Sequence, residues 1–218
     1  MSNSQKTSSQ TISNLYKSRK IILDLAKRRG FNIEDYENFN INDVGAMVSN
    51  KQLDMLLTNP DTEKKIYYKY HIVTKIRPPH IHEYIEDLYN LEEILTTNDD
   101  LVIVTKDKPN ESILNLLVME FNNNDNFVNI YNYNNFTFNC LDNVLQPKFR
   151  VLNETEKNEI KKKFNIVSDQ HFPEISRFDP AALAIGIRPG EITEITRRSP
   201  TSLESLTWRL CNSKIIFK

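Results

Sequence analysis

The 218-residue chain is 39% hydrophobic and 26% charged, enough apolar content for a packed core and against wholesale disorder. No apolar run approaches the roughly 18 to 20 residues that span a bilayer, and the polar opening MSNSQKTSSQTISN has no apolar centre, so neither a membrane partner nor a secretory signal is expected. From Gln146 onward there are 13 Lys/Arg against 9 Asp/Glu, and before it 15 against 20; the acidic N-terminal part lacks the charge of an independent DNA-binding domain, so any nucleic-acid contact there must be local.

Residues 1–12 are expected to be a disordered tail. The spacing of Leu15, Ile22, Leu25 and Ala26 predicts a helix capped by Ser13 and stopped by Gly30, with its basic residues from Lys17 to Arg29 on the wet face. NINDVGAMVSN reads as a short second helix from Asn42 or Asp43. KKIYYKYHIV is aromatic and β-branched, a strand ending near Thr74. In IHEYIEDLYNLEEIL, the residues Ile81, Tyr84, Ile85, Leu88 and Leu91 share one helical face. DDLVIVTKD is an apolar core bounded by charge, the pattern of a fully buried strand. NESILNLLVMEF follows as a helix and FVNIYNY as a strand. This alternation predicts an α/β N-terminal domain, a mixed sheet with flanking helices, over residues 13–145.

After Pro147 the pattern changes. FRVL is a short strand, and NETEKNEIKKKFN a helix with Asn153 and Glu156 placed for a capping box. In RFDPAALAIGIRPGEITEITRRSP, Asp179 and Pro180 suit a helix start, and Gly186 its left-handed stop. Pro189 and Gly190 fit a type II turn. EITEIT alternates, but Ile192 and Ile195 are out of phase, which leaves room for a bulge or a twist; SLESLTWRL closes the hairpin. Residues 146–218 therefore form a small α+β domain.

Chemical candidates are few. Phosphate loops place several glycines before a helix, whereas Gly186 and Gly190 follow one. His71, His80 and His82 with Glu83 have the side chains of a zinc site, though capping, turn and surface roles are the plainer reading. Glu63-x-Lys65 entering a strand resembles the end of a metal-dependent nuclease site; its second carboxylate, Asp54 or Asp99, is unanchored and Asp61 is too close in sequence. His171 and Cys211 are placed together by no pattern. Neither Cys140 nor Cys211 sits in a metal-ligand spacing, so both read as free thiols in a reducing compartment. EIKKKF and TRRSP read first as solvated basic faces. No catalytic residue, metal or cofactor is assigned.

One combination is specific. Leu152, Thr155 to Lys157, Pro173, Ile175, Asp179-Pro180, Gly186, Arg188-x-Gly190, Arg197-Arg198 and Thr207-Trp208-Arg209 occur in order over about 60 residues. Together they resemble the fifth-largest subunit shared by eukaryotic nuclear RNA polymerases and its short archaeal counterpart, which consists of this domain alone. LYKSRKIILDLAKRRGF and DDLVIVTKDKPNESILNLL are similar, more weakly, to that family's opening helix and buried strand. The resemblance implies a non-catalytic subunit with an N-terminal jaw domain and a C-terminal assembly domain. The assembly domain would dock on the largest polymerase subunit near the small sixth subunit, and the jaw would lie along downstream double-stranded DNA.

By the same resemblance Lys106, Lys108 and Pro109 are DNA-proximal. Asp179, Pro180, Ala181, Ile185, Arg188, Gly190, Arg197, Arg198 and Trp208 are the docking residues. Two departures stand out. The family's Thr-Pro-Ser-Ala is Lys108-Pro109-Asn110-Glu111 here, and Ser199 to Leu203 replaces its small residues with glycine after Arg198. With the Asn-rich composition of an AT-rich genome, they favour a large DNA virus as source over a cell; the expected location is the nucleus, or for a viral protein a factory in the host cytoplasm or the virion.

Overall fold

The computed structural model describes residues 9–214, so residues 1–8 of the expected tail and residues 215–218 lie outside the described residues. The chain divides into two compact units, Met1–Asn139 and Cys140–Lys218.

The first unit is built on a four-stranded sheet in the order β1-β2-β3-β4. β1 (Met55–Thr58) runs antiparallel to β2 (Lys65–His71), while β2, β3 (Asp100–Thr105) and β4 (Phe127–Asn132) are parallel. Parallel neighbours need crossovers. α4 (Pro78–Ile85) lies on the path from β2 to β3, and α5 (Glu111–Asn124) on that from β3 to β4. Every residue of β3 and β4 is buried, as the unbroken apolar run in DLVIVT requires of a strand covered on both faces.

α1 (Ser9–Arg28) begins four residues before the expected Ser13 cap, so residues 9–12 of the expected tail are helical. Its basic residues are not all wet. Arg19 is buried and donates to Leu53 O at 2.7 Å, and Arg29 meets the carboxylate of Asp100 at 2.7 Å. Arg19 ties the helix to the segment just before β1, and Arg29, just past the helix end, ties it to β3. α2 (Glu34–Glu37) and α3 (Ile41–Asn50) follow, with Asn40 and Asp43 forming the capping box of α3. β1 has no counterpart among the predicted elements because MLLT is too short to show a period. β2 ends at His71, three residues before the expected Thr74.

Leu91, expected on the buried face beyond α4, is 71% exposed. The helix passes into a π-helical turn over Glu86–Leu91. Its i→i+5 spacing advances the chain beyond the 3.6-residue period and rotates Leu91 outward.

The second unit holds a sheet in the order β5-β7-β8-β6, with α6 (Glu154–Phe164) and α7 (Pro180–Ile185). β5 (Lys148–Val151) and β8 (Leu203–Asn212) flank β7 (Ile192–Ser199) antiparallel, and β6 (Glu174–Ser176) runs parallel to β8. The bulge that Ile192 and Ile195 leave room for is absent: pairing continues unbroken from Ile192↔Leu210 to Ser199↔Leu203. Both isoleucines are nevertheless buried. Strand alternation sends them to opposite faces, and each face has its own cover. Ile192 packs with Leu152 and Phe172, and with Ile160, Trp208 and Leu210. On the other side Ile175, Ala182, Ile187 and Cys211 form a cluster against Phe149, Val151 and Ile185.

Candidate docking surface

The motif of the second unit is a run of local solutions to backbone demands. The Asp179 carboxylate accepts from Ala181 N at 3.0 Å, occupying a free donor at the start of α7. Gly186 ends the helix at φ 66°, with its N–H returned to Ala182 O. Glu191 N donates to Arg188 O at 3.1 Å and Gly190 has φ 91°, the geometry of a type II turn. The turn is then tied to β8: Gly190 N donates to Cys211 O, and Cys211 N to Glu191 O. On α6 the capping box of Asn153 and Glu156 forms as expected. Arg150 joins it by pairing with both Glu156 and Glu194, and the hydrogen bond to Arg150 lowers the pKa of Glu156.

Of the residues assigned to docking, Asp179, Pro180, Ala181 and Arg197 come together. They line a groove of about 380 Å³ whose apolar lining includes Phe149, Ile175 and Ile195. Pro147 and Arg209 also line it; Arg209 stood in the Thr207-Trp208-Arg209 motif but was not among the expected docking residues. For Arg209 the signal was available: the register sets it opposite Thr193 and Thr207 opposite Ile195, which puts Arg209 on the face of Ile195. Ala181 is itself buried, while Asp179 and Pro180 are exposed. Ile185 packs into the core cluster, and Arg188 is half-buried with its N–H on Glu191. Gly190 and Arg198 are exposed. Trp208 sits on the opposite sheet face, its ring 5.1 Å from that of Phe164 and its indole N–H donating to Glu194 at 3.2 Å.

Basic residues of α6 are partly spoken for. Lys157 and Lys161 both pair with Asp169, whose carboxylate is held below its ordinary pKa chiefly by the hydrogen bond from Lys161. Lys157 also reaches Gly190 O at 3.5 Å. Lys162 and Lys163 remain exposed.

In the first unit Lys106 and Lys108 are exposed on the loop between β3 and α5, and Pro109 is half-buried. Thr105 Oγ1 donates to Asp107 O, Asn134 donates to Lys106 O, and Asn110 caps α5 through Ile113 N. The backbone of this loop is held at both ends while its two lysines point outward.

The other candidates find ordinary roles. His71 Nδ1 lies 2.8 Å from the Tyr84 hydroxyl and its Nε2 3.0 Å from Thr74 Oγ1, His80 Nδ1 accepts from Arg77 N, and His82 meets Glu120. Among the described residues no group of three His, Cys, Asp or Glu side chains is placed to hold a metal. Asp99 accepts from Lys65 N, Thr96 N and Thr96 Oγ1, and Asp54 is paired with Lys69, so neither carboxylate faces Glu63 as a nuclease site would need. Cys211 is buried, and burial pushes its thiol up to about 12, far from a nucleophile's range.

Comparison with known proteins falls on this second unit. Residues 138–211 match the family model of the RNA polymerase Rpb5 C-terminal domain. The chain is 48% identical over 65 residues to "DNA-directed RNA polymerase subunit Rpo5" of Thermococcus kodakarensis, covering 30% of this chain and 78% of the relative. The proteins of the same name from Archaeoglobus fulgidus and Nitrosopumilus maritimus are 42% identical over 73 residues and 40% over 68. These alignments cover 34% and 31% of this chain, and 95% and 81% of the relatives. None of these matches points to a nuclease.

Proposed function

The chain belongs to the family of Rpb5-type RNA polymerase subunits, and from that premise we propose that it is a non-catalytic subunit of a multisubunit DNA-dependent RNA polymerase. The observation that carries the reading is the family match over residues 138–211, on the unit whose capped helix, glycine stop and turn hold a groove lined by the exposed Arg197 and the half-buried Arg209. In this reading the second unit is the assembly domain and docks on the largest subunit, beside the small sixth subunit. The docking residues at the groove are Asp179, Pro180, Ala181 and Arg197; Arg198, also exposed, projects from the opposite face of β7. Ile185 packs beneath the groove, Arg188 and Gly190 shape the turn that is tied to β8, and Trp208 stands on the opposite sheet face.

The first unit acts as the jaw. Lys106 and Lys108, outward on a braced loop beside Pro109, contact phosphates of downstream DNA without reading its sequence. Such contacts are compatible with an acidic domain because they need only local charge.

The test is recovery with the polymerase. Arg197→Glu/Arg198→Glu alters two exposed side chains, so the fold should survive. The variant is expected to lose co-purification with the largest subunit, while the unaltered chain retains it. Equal recovery of both would remove these two arginines from the docking surface, and absence of the unaltered chain from any polymerase would reject the function itself.

A further inference from the structure

The sheet of the second unit leaves one long edge open. β6 covers β8 only at Leu210 to Asn212, and β7 takes the other side of β8 from Leu203 to Leu210. Among the described residues no strand therefore lies beside the outer edge of β8 from Leu203 to Arg209. The direction of each backbone group follows from its neighbours. Leu210 N donates outward to Pro173 O, and Cys211 N donates inward to Glu191 O. Alternation then turns the N–H and C=O of Leu206 and Trp208 outward.

The other edges are blunted. β5 is four residues long with exposed Lys148 and Arg150, and β6 is three residues long. In the first unit, β1 is four residues long and every residue of β4 is buried. Short strands and charge are the usual protection of a sheet edge. The β8 edge has neither length limit nor covering element, and it carries apolar side chains. Leu203 is 86% exposed, Leu206 49%, and Phe164, whose ring packs on Trp208, 48%.

We propose that the outer edge of β8, from Leu203 to Arg209, receives an extended segment of another polymerase chain as an added strand; this rests on the polymerase assignment above. The edge dictates the chemistry of its occupant. Main-chain groups of the segment pair with Leu206 and Trp208, as in strand addition generally. Side chains on one face of the segment meet Leu206, Trp208 and Phe164 and are apolar. Those on the other face meet Thr207 and Arg209, in a unit whose charge is net positive, and include an acidic residue. This surface is separate from the groove and needs none of its residues except Arg209.

Leu206→Pro removes one outward N–H and obstructs an incoming strand without breaking the ladder to β7. Proline is tolerated on an edge strand when its nitrogen faces solvent. The variant is expected to keep the circular dichroism of the unaltered chain and to fall roughly tenfold in recovery with the native polymerase, from loss of pairing along the strand. Leu206→Ala, which keeps the N–H, should be recovered far better. In parallel, hydrogen exchange on the unaltered chain reads the amides of Leu206 and Trp208, free and in the purified polymerase. Protection that appears only in the polymerase supports the added strand and does not depend on how the proline variant folds. Unchanged exchange at both amides in the polymerase overturns it, as does wild-type recovery of a folded Leu206→Pro. Either result leaves the polymerase assignment standing so long as the unaltered chain co-purifies.

Discussion

Asp100 offers the sharpest test of how the first unit is held together. It opens β3 with a side chain 2% exposed, and it pairs with Arg29 at 2.7 Å and Lys64 at 3.0 Å. Burial by itself would lower the pKa of Arg29; the carboxylate of Asp100, foremost, with Tyr68 and Tyr131 more than offsets this, so the guanidinium stays charged beyond its ordinary range. Asp100→Asn leaves that cation facing a neutral amide. Removing one partner of a buried pair costs about 3 to 5 kcal/mol. Arg29 and Lys64 are 16% and 27% exposed, so water reaches both, and Asn keeps one acceptor. The low end, about 3 kcal/mol, is therefore expected, or a Tm lower by about 10 °C at roughly 3 °C per kcal/mol for a chain of this size.

Thermal unfolding followed by far-ultraviolet circular dichroism reads this loss. The single tryptophan, Trp208, lies in the second unit, so its fluorescence serves as an internal control that should barely move. The double change Arg29→Met/Asp100→Leu removes both desolvated charges and should regain more than half of the loss. A Tm for Asp100→Asn within about 2 °C of the unaltered chain would refute the reasoning, because the ion pair would then contribute no more than an exposed one.

Further outcomes follow from other groups. Burial, then the neighbouring His80, lowers the pKa of His71. The unfolded chain therefore binds more protons below its ordinary 6.5; stability of the first unit should fall with decreasing pH through that region, and His71→Gln should flatten the slope in urea titrations at pH 5.5 and 7.5. Iodoacetamide at pH 8 should label the half-buried Cys140 well before Cys211, whose thiol is held at about 12; equal rates by peptide mass spectrometry would contradict its burial. Asp179→Ala should cost the second unit about 1 kcal/mol through loss of the cap, measured by Trp208 fluorescence in urea. Lys106→Ala/Lys108→Ala in the assembled polymerase should weaken retention of downstream DNA equally across sequences and reduce the salt slope by about two.

The second unit was the more legible half because its features are local. A cap, a glycine stop, a Pro-Gly turn and a capping box each close within a few residues, so Asp179, Gly186, Gly190, Asn153 and Glu156 declare their conformations without a tertiary context. Of the bulge or twist that Ile192 and Ile195 left room for, the unbroken register excludes the bulge. Two out-of-phase isoleucines mean a bulge only if one sheet face is dry, and here both are covered. In the first unit Leu91 failed because a π-helical turn changes the period in mid-helix.

Sequence alone determined which segments turn, cap and alternate, and through their order it pointed to the polymerase family. These are properties of neighbours along the chain, limited by backbone sterics and by hydrogen bonds that close over three to five residues. Only the tertiary structure decided that Arg19 is a buried tie and Arg29 a half-buried one rather than wet cations, because a charge leaves water only where the partner arrives from a distant segment. It also decided which strands lie side by side. Phe149, Asp179, Ile195 and Arg209 become one groove, and the outer edge of β8 stays open, because the register of β7 on β8 and the brevity of β6 are settled by packing across the sheet.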